Sequence, residues 1–206
     1  MRLLPLALIS SLLLVSARAQ ERSGPKKNPA FPEAIELAKK NVEQEKLGAA
    51  IAALQAAIKD LQKKQRAAVL AALPKPEGWT FRDQEADEQA EQVAAGLLGV
   101  GHQTTRRYSK GDASINVEIT ANSPLMQMMT MLFNNPALIE ADGGELVKYG
   151  PHKAILKKTG DSGVELSLLM HEQHLIKITA EGLDGDGLLK IFDQAFVDRL
   201  EKPLGK

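Results

Sequence analysis

The stretch "TTRRYSKGDASINVEIT", Thr104–Thr120, decides the fold. Its second half sets Ile115, Val117 and Ile119 at alternate positions, with Asn116, Glu118 and Thr120 between them. That period of two belongs to a strand with one buried face. Lys110-Gly111-Asp112 supplies the turn that lets "TTRRY" pair back against it. Towards the C-terminus the theme repeats. The runs "ELVKY", "KAILKK", "VELSLLM" and "LIKITA" are separated by Gly150-Pro151, by Gly160 to Gly163 and by His171 to His174. Four short strands with tight connections predict an antiparallel meander. A closing helix over about 184–200 puts Leu188, Leu189, Phe192, Ala195, Phe196 and Leu200 on one face, enough to cover one side of the sheet.

Towards the N-terminus the character changes. "LPKPEGW", Leu73–Trp79, is a proline-rich stop carrying the single tryptophan, expected to anchor the sheet domain as a buried side chain. Before it, residues 31–73 are almost entirely helix formers interrupted only by Gly48. Phe31, Ile35, Ala38 and Val42 fall at 4-3-4 spacing, and Leu47, Ile51, Leu54, Ile58 and Leu61 continue at 4-3-4-3. This predicts an antiparallel helical hairpin with a coiled-coil-like seam. The longer arm, from about 47 to 72, spans roughly 39 Å at 1.5 Å per residue, so its far end must lean on something other than the first helix. The hairpin resembles one unit of a tetratricopeptide-type repeat. Such arrays need about three units, and no second copy follows, which favours a plain hairpin or dimerisation arm. The expected fold class is therefore α+β, an N-terminal helical hairpin followed by an antiparallel sheet flanked by helices.

The first residues, "MRLLPLALISSLLLVSARAQ", run from Arg2 through an apolar stretch, Leu3 to Val15, to Ala17 and Ala19. This is the pattern of a secretory signal with cleavage between Ala19 and Gln20. The apolar run is shorter than the roughly 18 to 20 residues that span a bilayer, and no later segment approaches that length. The expected organisation is a signal peptide over 1–19, a polar leader over 20–30, the hairpin over 31–73 and the sheet domain over 74–206, with secretion to the periplasm. The chain has no cysteine. That excludes a lipoprotein anchor, a disulfide framework, thiol catalysis and Cys-ligated zinc. Basic and acidic residues balance at 26 each, and losing Arg2 and Arg18 tips the remainder slightly acidic. No nucleic-acid footprint results, although the front is basic and the body acidic.

"SPLMQMMTMLFNNP", Ser123–Pro136, holds four of the six methionines. Ser123 as N-cap and Pro124 at the first turn start a helix that Asn134, Asn135 and Pro136 end. Its apolar arc, roughly 220°, is about twice what a surface helix buries. Three covers are open: the hairpin arm lying over it as a lid, a protein partner or second copy meeting Met126, Met128, Met131 and Phe133, or Cu(I), which favours thioether ligands such as Met128 with Met131.

"LPKPEGW", "TTRRYSKGDASINVEIT" and "SPLMQMMTMLFNNP", with the meander and the closing helix, resemble a family of secreted proteobacterial proteins of unassigned function, similar in layout to the PsbP-like class. The resemblance covers Leu73 to Lys202 and implies an antiparallel sheet flanked by helices. It carries over no catalytic residue, since that class spans assembly factors and binding subunits.

The motifs that echo catalysis have plainer readings. "GDSG" with Ser162 sits in a hairpin turn. "HEQH" offers His171 and His174 three apart rather than four, between strands, and reads as a hairpin tip, with metal binding the alternative. Asp184 and Asp186 suit a helix N-terminus better than a calcium loop. Gly96, Gly99 and Gly101 have the wrong spacing for a dinucleotide loop, and Arg106, Arg107 and Lys110 read as a solvated strand. No nucleophile, base and orienting group can be proposed together. The expectation is a non-catalytic binding or assembly module without a cofactor, partnered through the hairpin or the methionine helix. A periplasmic Cu(I) protein and an enzyme of unidentified class are the rivals.

Overall fold

The structure, a computed structural model, describes residues 30–84, 103–121 and 125–205. Two helices come first, α1 (Phe31–Glu43) and α2 (Leu47–Ala72), and they pack against each other as a hairpin. Ala30 gives α1 no side-chain cap. Instead Phe31 N donates to Asp60 Oδ2 of α2 at 3.1 Å, so the second helix caps the first and fixes where along it α1 begins.

The contact between these helices differs from the expected seam. Ala34 and Ala38 of α1 meet the side of α2 that carries Ala50, Ala53 and Ala57, all at most 4 % exposed. Leu47, Ile51, Leu54, Ile58 and Leu61 are 44–62 % exposed and do not form the hairpin seam. Alanine wins the inner position because it lets two helices approach closely with no side-chain entropy lost. At 100° per residue the leucine–isoleucine row lies roughly 90° round α2 from the alanine stripe.

Seven strands follow: β1 (Thr80–Gln84), β2 (Gln103–Lys110), β3 (Ala113–Ala121), β4 (Gly144–Tyr149), β5 (His152–Thr159), β6 (Gly163–Met170) and β7 (His174–Glu181). They form one antiparallel sheet in the order β1-β2-β3-β7-β6-β5-β4. The expected hairpin is β2–β3, with Tyr108 opposite Ile115. The expected meander is β4 to β7, joined to that hairpin by β3–β7 pairing. β1 was not expected. "TFRDQ" carries charge and is exposed along its length, so it has no apolar alternation to announce it.

One face of the sheet holds the main core. Ile115, Val117 and Ile119 line up across strands with Ile178, Ile176, Leu166, Leu168 and Val164. Two short helices cover them, α5 (Gly185–Ile191) and α6 (Gln194–Glu201), where the sequence predicts one. The break falls at Asp193, whose carboxylate accepts from Phe196 N at 2.9 Å as the N-cap of α6. Asp184 caps α5 in the same way through Gly187 N, 2.8 Å. Leu188, Phe192, Phe196 and Leu200 are buried as the periodicity requires, and Ala195 is exposed.

The far end of α2 leans on this same face. Val69 and Leu73 enter the main core, and the phenol of Tyr108 donates to Pro74 O at 2.9 Å. Gln65 Nε2 donates to Pro203 O at 3.0 Å, and Arg199 Nε to Ala72 O at 3.1 Å. Trp79 is half-buried against this core rather than enclosed by it. On the opposite face a second, smaller apolar cluster forms towards β4, where α3 (Leu125–Phe133) and α4 (Pro136–Ala141) pack. Phe133 and Ile139 meet Ile155, with Met129, Leu132, Leu146 and Leu169 around them. Gly144 is where this layer comes closest: a Cβ there would stand 2.9 Å from Ile155 Cγ2 and 3.0 Å from Ile139 Cγ2.

Candidate functional site

The methionine helix settles first. Its start at Ser123 and Pro124 lies outside the described residues. Of the four residues expected to meet a partner, Met126 and Phe133 are buried, whereas Met128 is 62 % and Met131 74 % exposed. The hairpin packs through α2 on the opposite face of the sheet, against β2 and α6, so it is not the lid of this helix. The excess apolar arc is divided instead between the small second core and a solvent-facing pair of methionines.

The motif readings resolve in the same way. Gly160 to Gly163 is the β5–β6 turn. Arg107 and Lys110 are exposed, but Arg106 is buried, which corrects the reading of these three as a solvated strand. It faces the core, where Nε and Nη2 donate to Asp83 at 2.5 and 3.0 Å and the guanidinium lies 4.4 Å over the Phe81 ring. Burial pulls its pKa down, and the hydrogen bonds to Asp83 together with the nearby Tyr108 phenol outweigh that, so the group stays above its ordinary value. This ion pair ties the edge strand β1 to β2 and is structural. The glycines at 96, 99 and 101 and the Ala19–Gln20 junction lie outside the described residues.

The tip "HEQH" gives a different outcome. His174 opens β7 and is buried, while His171 leaves the strand in a tight turn closed by Gln173 N donating to Met170 O at 3.1 Å. His171 and Glu172 have φ of +52° and +56°. Two successive left-handed residues make a turn that normally selects Asn-Gly. For L residues with a Cβ this conformation costs roughly 1–2 kcal/mol each. The turn carries the His171 ring to Glu201, the last residue of α6, with Nε2 3.0 Å from Oε2.

A third residue joins them. His152, first in β5 and opposite Tyr149, brings its Nε2 to 2.5 Å from the other oxygen, Glu201 Oε1. The two imidazole rings stand edge to face at 5.4 Å. The three side chains are 10 %, 25 % and 21 % exposed. His152 and His171 line one wall of a cleft of about 370 Å³, whose other wall is the end of α3 with Thr130, Phe133 and Asn134. His152 and Glu201 are 49 residues apart in sequence and His171 and Glu201 are 30 apart. No spacing pattern therefore linked them. The backbone of β5, the β6–β7 turn and the C-terminus of α6 bring them together.

No helix among the described residues is long and apolar enough to cross a membrane. No family model, no curated protein and no solved structure matches the chain.

Proposed function

We propose that the chain is an exported, non-catalytic assembly module that works as a dimer, two hairpins meeting as a four-helix bundle and the sheet domains serving as binding units on either side. The observation that supports this is the exposed row Leu47, Ile51, Leu54, Ile58 and Leu61. Isoleucine and leucine alternating at 4-3 spacing make a knobs-into-holes seam of the kind through which helices associate. The positions flanking the row are Gly48, Ala50, Gln55, Ala57, Gln62 and Lys64. Only Lys64 among them is charged, and it pairs with Asp60 of its own helix at 2.9 Å, so a second copy meets little repulsion. A helix in a square bundle touches two neighbours about 90° apart. The alanine stripe and the leucine–isoleucine row have that separation on α2. A self-complementary row also closes with two-fold symmetry and leaves no further copy to recruit.

Export is the reading of residues 1–19 as a signal segment and is part of the same proposal. Light scattering on the eluting protein tests the dimer. The natural chain is expected at twice its monomer mass. Ile51→Asp with Ile58→Asp is expected at the monomer mass with an unchanged circular dichroism spectrum, because both positions are solvated in one chain and desolvated only between two. A natural chain that stays monomeric at high micromolar concentration overturns the proposal. Mass spectrometry of exported protein tests the Ala19–Gln20 junction.

A further inference from the structure

The geometry points to a divalent transition-metal site made by His152, His171 and Glu201, with its open side on the cleft beside α3. One donor atom from each residue lies within 4.8 Å of the other two. Both rings present Nε2, and each faces a different oxygen of one carboxylate, at 2.5 and 3.0 Å. Two imidazoles with one carboxylate are a ligand set that suits Zn(II) and its neighbours. With metal–ligand distances of about 2.0–2.2 Å, a tetrahedral ion between these groups requires each ring to part from the carboxylate by less than about 1 Å.

Three features on separate elements converge on this reading. The β6–β7 turn holds two non-glycine residues at positive φ, and its conformation delivers the His171 ring. Such strain gathers where a group is being held for a purpose. Glu201 stands at the C-terminal end of α6, where the helix dipole disfavours an anion and rewards any cation beside it. His152 and His171 also line the cleft, so a bound ion keeps a free position towards a space large enough for water and a small anionic ligand. A simple ion pair needs only one histidine per carboxylate; this carboxylate has one on each oxygen.

The test is a Zn(II) titration of the full chain against a chromophoric chelator after treatment with EDTA. The expected result is one tight equivalent for the natural protein. His152→Gln with His171→Gln is expected to weaken uptake more than about 100-fold, beyond what outer-shell partners command. Glu201→Gln is expected to weaken it as well, and Met128→Leu with Met131→Leu to leave it unchanged. Because substitution of a nearly buried histidine can disturb folding, imidazole nitrogen resonances of the natural protein give a second readout. Zn(II) is expected to shift Nε2 of both His152 and His171 in slow exchange. Uptake that survives the double histidine substitution in a folded protein, or Nε2 resonances that do not move at saturation, overturns the site and leaves Glu201 as an ion-pair partner only.

Discussion

The hairpin and the sheet domain respond oppositely to the same kind of signal. In β3 the regularly spaced apolar residues Ile115, Val117 and Ile119 are the buried ones. In α2 the regularly spaced Leu47, Ile51, Leu54, Ile58 and Leu61 are the exposed ones, and alanines do the packing. Periodicity states which side chains share a face. It does not state what that face meets. A strand inside a sheet has its neighbours on both edges and needs only one cover, here α5, α6 and the end of α2. A long helix has several directions in which to find a partner, and its partner can be another chain.

The comparison breaks most sharply at single side chains. Phe192 is buried between Tyr108 and Phe196, edge to face with both, at 6.0 and 5.2 Å. Phe192→Ala is expected to cost about 3–5 kcal/mol as a core truncation. Leu54→Ala truncates a large apolar side chain in the most regular apolar row of the chain. Measured by denaturant melts at protein concentrations low enough to keep single chains, it is expected to cost less than about 0.5 kcal/mol, as surface changes do. Equal losses at both positions would mean that the leucine–isoleucine row is core within one chain.

A smaller effect sharpens the point from the other side. If the alanine stripe is the true hairpin contact, enlarging it must drive α1 and α2 apart. Ala53→Leu is expected to destabilise the hairpin by about 1–3 kcal/mol, the usual penalty for overpacking. On the expected leucine seam the same change would have been nearly free. Hydrogen exchange resolved to α1 amides checks this, since loss of α1 protection with the β-sheet amides unchanged assigns the damage to the hairpin contact.

These particulars explain what was legible. The α+β class, the hairpin, the β2–β3 pair and the four strands β4 to β7 follow from spacing and turn residues alone. Strand β1 was hidden because every residue of "TFRDQ" is exposed. The division of the closing helix was hidden because Asp193 acts as a cap only in three dimensions, and in sequence it sits in the middle of a sound apolar period. Of the three covers open to the methionine helix, the hairpin lid is excluded, because α2 packs against β2 and α6 on the other face of the sheet. For the candidate site one residue of three was in view. In sequence His171 stands beside His174, whereas its partners in space are His152 and Glu201, which only the register of β5 and the end of α6 bring near.

The smallest effect separates the two regions by pH. Both tyrosines of the chain, Tyr108 and Tyr149, belong to the sheet domain, and burial raises the pKa of each, that of Tyr149 to about 12. Tyr149 donates to Phe192 O at 2.8 Å, a bond that exists only while the phenol keeps its proton. A phenol that ionises near 10 when unfolded and near 12 when folded leaves stability undiminished below pH 10. The unfolded chain then releases its proton first, so stability falls as pH rises from 10 towards 12. Tyr149→Phe is expected to cost about 1 kcal/mol at neutral pH through the lost hydrogen bond. It is also expected to flatten the alkaline decline, so that the two stability curves converge as pH rises through 11. Urea melts recorded from pH 7 to 11.5 and followed by sheet-domain probes check both halves of this expectation. The α1–α2 contact contains no tyrosine, and its hydrogen-exchange protection is expected to show no dependence on this substitution at any pH. A shared alkaline response in α1 and in the sheet would mean that the hairpin and the sheet unfold as one unit, and the contrast between them would then be one of packing alone.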